Sequence, residues 1–181
     1  MRISGKVKNL ALCATLSAFG VVILMLGVFV DVLDMSAAMI ASLLVVIAVI
    51  EAKGFWPWLT YGVTALIALL LFPVKTAAIM YLFAGYYPII KEKLEKLPKV
   101  FSYILKFLIF NLSLTVVFIA FELLFTGISI ELVPGIEKNI TYIIYAVVGN
   151  VIFLLYDILI TRLVSLYIFK LRDRIGFGRK K

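Results

Sequence analysis

Asn9 to Val30 reads NLALCATLSAFGVVILMLGVFV, twenty-two residues without one charged side chain. At about 1.5 Å of rise per residue, a hydrocarbon layer about 30 Å thick takes roughly 20 residues to cross. The run is therefore long enough to span a bilayer as one helix. It is longer than a signal-peptide core and has no convincing small-residue cleavage site, so it reads as a retained first span.

Five further apolar blocks follow it, Met35 to Ile50, Phe55 to Phe72, Thr76 to Ile90, Val100 to Phe125 and Ile140 to Phe169. Turn-forming residues separate them: Gly54, Pro57 and Pro73 mark the early turns, and Pro98 opens the fifth block. Thr126-Gly127 and Pro134-Gly135 bound the longest loop. The blocks are continuous apolar runs rather than alternating ten-residue segments, which excludes a β-barrel. In lipid that leaves helices as the way to satisfy the backbone. The expected fold is all-α: a polytopic membrane protein, a compact bundle of about six transmembrane helices in a single domain spanning 1–181.

Composition agrees, because 65% of the 181 residues are hydrophobic and 15% charged, against roughly 45–50% apolar and about 25% charged in soluble domains. The mean hydropathy is +1.17. With the N-terminus inside, fourteen cations lie in cytoplasmic pieces and only Lys75 and Lys138 in outer loops. That bias places both termini in the cytoplasm and the chain, multi-pass, in the plasma membrane. The net charge of +8 is carried by residues flanking apolar helices, not by a groove, so nucleic acid is excluded as a partner. The lipid bilayer is the expected one. Basic residues beside a cytoplasmic leaflet gain roughly 1 kcal/mol each from anionic lipid, and Lys91 to Leu97 is expected to lie at the interface as a short amphipathic turn.

Histidine is absent, and Cys13 is the single cysteine. The usual proton shuttle, the commonest zinc ligand and every Ser-His or Cys-His nucleophile are thereby missing. No H-E-x-x-H pair, G-x-S-x-G elbow or phosphate-binding G-x-x-x-x-G-K-[ST] loop occurs. The expectation is a protein that is not an enzyme and holds no metal or cofactor.

Polar groups inside spans are costly and must face protein or water. Counted inward from Lys99 and Lys170, Asn111 and Asp157 fall at one depth on antiparallel neighbours, and Lys106 and Arg162 at a shallower one. These four are expected to form an intramembrane polar layer tying the fifth helix to the sixth, with Asn111 bonded to Asp157. Toward the outer side, Asp34, Lys75, Tyr81, Glu122, Tyr142 and Asn150 are candidates for a small-molecule site, polar tips on apolar walls. Trp56, Trp58, Tyr86, Tyr87 and Tyr167 read as an interfacial aromatic belt. On the first helix Ala11, Ala14 and Ala18 share a face, a small-xxx-small pattern that admits another helix closely, either from this chain or from a partner.

The span pattern, together with Lys8 to Ala18, KNLALCATLSA, resembles the substrate-binding S component of energy-coupling factor (ECF) transporters. The resemblance implies a six-helix bundle whose alanine face, Ala11, Ala14 and Ala18, docks a transmembrane T component. It further implies two cytoplasmic ATPases as partners and a vitamin or other small molecule captured from outside. The absence of histidine sets the chain apart from the nickel- or cobalt-binding branch. A small structural or assembly protein of the cell envelope, with no ligand pocket, is the alternative expectation.

Overall fold

The computed structural model describes residues 5–30, 33–124 and 138–171. They form six α-helices and, among the described residues, no strand: α1 (Gly5–Val28), α2 (Asp34–Glu51), α3 (Trp56–Leu71), α4 (Thr76–Leu94), α5 (Lys99–Leu124) and α6 (Lys138–Leu166), the last running into a π-helical turn, Tyr167–Leu171. Four helical stretches are long and apolar enough to cross a membrane: α1, α2, Lys99–Val116 of α5, and Ala146–Lys170. At 16 residues, α3 is a shorter apolar helix.

The helix ends follow local chemistry. Helix α1 begins at Gly5, ahead of its apolar run, because Lys6 and Lys8 are compatible with helical backbone at a membrane surface. After α2 the chain turns at Lys53 and Gly54, with φ of 50° and 65°, the left-handed conformation that ends many helices. Pro57 sits in the first turn of α3, where its missing N–H removes no helical bond. Helix α4 runs past Ile90 to Leu94, so the expected interfacial turn is mostly its last helical turn. A turn follows through Glu95 to Pro98, with Leu97 N–H bonded to Leu94 O at 3.0 Å.

The described contacts divide the chain into two compact units, residues 1–93 with 162–181, and residues 94–161. In the first, α1, α2 and α3 pack on one another. The packing is close because small residues line it: a methyl on Gly27 would meet the Ala37 Cβ at 2.5 Å, and one on Gly20 would meet the Thr64 Cγ2 at 3.0 Å. Ser17 Oγ donates to Thr60 O at 3.2 Å, joining α1 to α3. The core of this unit is built from Leu24 of α1, Ala38 and Val45 of α2, Ala68 of α3, Phe72, and Tyr81 and Ile89 of α4. The face of α1 in use thus carries Cys13, Ser17, Gly20 and Gly27, all buried, whereas Ala11, Ala14 and Ala18 are exposed.

The second unit holds α5 and α6 up to Thr161. On α6 the buried residues Phe153, Tyr156, Asp157 and Ile160 recur at helical spacing. Phe153 stacks on Phe110 with centroids 4.3 Å apart and meets Phe107 edge-on at 5.8 Å. Gly149 borders this cluster, and a methyl there would make ordinary contacts, 3.6 Å from Leu114 and 3.8 Å from Phe110.

Candidate functional site

Along α5 the exposed apolar residues Val100, Ile104, Leu108, Leu112, Val116 and Ile119 form one stripe. Its length at 1.5 Å per residue is about 28 Å, close to the ~30 Å hydrocarbon layer, so the stripe measures membrane depth. Measured from Val100, Lys106 lies about 9 Å in, and Asn111 lies about 16 Å in, near the midplane.

At the shallower level the Lys106 ammonium lies 3.2 Å from both carboxylate oxygens of Asp157. Glu95 Oε1, just before α5, is 3.3 Å away, and the Tyr103 ring centroid is 5.6 Å from the ammonium. Lys106 and Asp157 are buried while the Glu95 side chain is 48% exposed. Lys106 therefore joins one deep carboxylate and one at the surface. A buried charge is tolerated only when paired, and this pair fulfils that condition.

At the midplane Asn111 Nδ2 donates to Asn150 Oδ1, and Asn150 Nδ2 to Asn111 Oδ1, both at 3.0 Å. Each amide also donates to the carbonyl four residues earlier, Phe107 O and Ala146 O, at 2.8 Å. Both hydrogens of both amides are thus used. Phe107 and Phe110, between Lys106 and Asn111 in the chain, both pack on Phe153, between Asn150 and Asp157.

This arrangement corrects the expected register. Asn111 meets Asn150, not Asp157, and Asp157 meets Lys106. Matching the equal spacing of Lys106/Asn111 and Asp157/Arg162 put Lys106 beside Arg162, two cations at one level. Sliding α6 by five residues brings Asp157 opposite Lys106, and attraction replaces repulsion. Arg162 itself is exposed. Glu95 is a further partner of Lys106 that helix spacing does not reveal, and Asn150, a candidate for the outer side, meets Asn111 instead. Pairing unlike charges and like amides would have found both.

The other outer-side candidates have local roles. Asp34 opens α2 and accepts a hydrogen bond from Thr76 Oγ1 at the start of α4, while its second oxygen is buried and has no hydrogen-bond partner among the described residues. Lys75 donates to Leu69 O at 2.6 Å and to Phe72 O, capping the carbonyl end of α3, where a cation also complements the helix dipole. Tyr81 is 1% exposed and packs on Tyr61 at 5.8 Å, placing it in the core. Tyr61 in turn donates to Leu82 O at 3.0 Å over Gly85, where a methyl would come within 2.8 Å of its ring. The side chains of Glu122 and Tyr142 lie outside the described residues. Of the expected belt, Tyr87 and Tyr167 are buried, Tyr87 with the Lys91 ammonium 5.9 Å from its ring and Tyr167 with its hydroxyl 3.4 Å from Glu51 Oε1.

Fold and site together define a multi-pass α-helical membrane protein with a paired polar layer between α5 and α6. Compared with protein-family models, curated proteins and solved structures, the chain has no match.

Proposed function

We propose that this protein is a substrate-binding subunit of a transporter, similar to an ECF S component, crossing the plasma membrane six times with both termini cytoplasmic. It captures a vitamin or another small molecule from outside and delivers it for ATP-driven uptake by a T component and two ATPases. The observation that supports this reading most is the exposed face of Ala11, Ala14 and Ala18. The other small-residue face of α1 is consumed by packing on α2 and α3, and this one is not. Alanines cover little acyl chain but let a partner helix approach to backbone distance. Ala14→Trp and Ala18→Trp are expected to leave the protein monodisperse in detergent and to abolish co-purification with a T component. Undiminished co-purification with both variants refutes the reading.

A structural or assembly role is favoured by a different observation: the polar groups between α5 and α6 pair with one another, as a scaffold requires. Thermal stability measured against a panel of vitamins separates the two. A ligand at 100 times its dissociation constant adds about 2.7 kcal/mol, and a scaffold without a pocket gains nothing.

A further inference from the structure

Between Leu82 and Pro88, helix α4 gathers three features that each soften a helix. Pro88 lies inside the helix, has no N–H to give to the carbonyl four residues earlier, and crowds that turn with its ring. Gly85, close to one turn before it, brings backbone freedom and no side chain, and a methyl there would meet the Tyr61 ring at 2.8 Å. The Tyr61 hydroxyl, from α3, donates to Leu82 O at 3.0 Å, the acceptor that α-helical geometry assigns to Tyr86 N–H. Before this stretch, Ala77, Ala78 and Tyr81 are buried, and Thr76 is bonded to Asp34 of α2. After it, α4 continues to Leu94 and carries Lys91, 3% exposed.

We infer that α4 is a two-position helix that bends between Leu82 and Pro88, and that Tyr61 is the latch holding the position seen in the structure. The part before the bend is fixed by its packing and by Thr76, and the part from Tyr87 to Leu94 swings. The Tyr61 ring against Gly85 and the hydroxyl on Leu82 O belong to the latched position alone. A bend of about 20° over the ~12 Å from Gly85 to Lys93 moves the tip by about 4 Å. The swing carries Lys91 toward water, which suits a charge whose burial is costly even when paired. The inference is independent of the transporter reading and requires only the contact of α3 with α4.

The test is double electron–electron resonance on the full-length protein in lipid nanodiscs, with spin labels at Phe55→Cys and Lys93→Cys in a Cys13→Ser background. Both labelled positions are exposed and lie in the first unit, and Phe55 immediately precedes α3, so their separation follows the swing. The parent is expected to give a main distance and a minor one displaced by about 4 Å. Tyr61→Phe keeps the ring, loses the hydroxyl bond, and is expected to raise the minor population about fivefold relative to the main one, the weight of one hydrogen bond. Pro88→Ala restores the missing N–H and is expected to leave only the main distance, both alone and combined with Tyr61→Phe. The combination separates a bend at the proline from a general loosening of the fold. A minor population that Tyr61→Phe does not raise overturns the inference, and so does a second distance that survives Pro88→Ala.

Discussion

Replacing Asp157 by leucine removes the deep partner of Lys106 and leaves the cation where it was. In the folded protein the Lys106 side chain is 6% exposed and that of Asp157 is 12% exposed, so the orphaned ammonium has little water to turn to. Breaking a buried pair on one side costs about 3–5 kcal/mol. Glu95, still 3.3 Å from Lys106 but largely in solvent, recovers part of this. The expected loss is therefore near the lower end, about 3 kcal/mol, or roughly a hundredfold in the folded-to-unfolded ratio. Asp157→Asn retains an acceptor oxygen and is expected to lose less. Lys106→Met combined with Asp157→Leu removes both charges at once and is expected to return to within about 1 kcal/mol of the wild type, since a well-packed apolar replacement of a buried pair is often neutral. The measurement is reversible unfolding by dodecyl sulfate in mixed micelles, followed by far-ultraviolet circular dichroism. If the double variant is as unstable as Asp157→Leu alone, or if Asp157→Leu costs nothing, the pair does not hold α5 to α6 as described.

The midplane amides predict a second cycle. Asn111→Leu leaves Asn150 with one unsatisfied hydrogen and an unused acceptor oxygen in hydrocarbon and is expected to cost about 1–2 kcal/mol, whereas Asn111→Leu with Asn150→Leu recovers most of it in the same unfolding assay. At the α1–α2 contact, Gly27→Ala forces a methyl to within 2.5 Å of the Ala37 Cβ and is expected to cost about 1–3 kcal/mol. The added change Ala37→Gly restores stability, and no restoration means that the contact is not the cause.

The helical blocks were legible because each is an apolar run ended by charge or by Pro and Gly. The expected first, second, third and fifth blocks match α1, α2, α3 and α5 within a few residues. The fourth apolar block ends at Ile90 because Lys91 reads as a stop, whereas α4 carries that lysine, buried, into its last turn. The sixth gave a false ruler: counting from Lys170 used a residue beyond the α-helical part of α6, in the π-helical turn. The sequence marks Lys106, Asn111, Asp157 and Arg162 as residues that need partners, but it does not say which partners.

The medium, the helix type and the need for a polar layer follow from the sequence by itself, because they depend on how much apolar side chain each stretch carries and on the cost of bare polar groups in lipid. Which polar group meets which, and which of two small-residue faces of α1 is packed, only the tertiary structure decided. Both Cys13/Ser17/Gly20 and Ala11/Ala14/Ala18 are small and recur at helical spacing, so composition cannot rank them. The choice lies with the opposing surfaces: Thr60 and Thr64 on α3 and Ala37 on α2 fit the glycine face. In the same way, opposite charge across α5 and α6 selects a register that the spacing of residues along either helix does not contain.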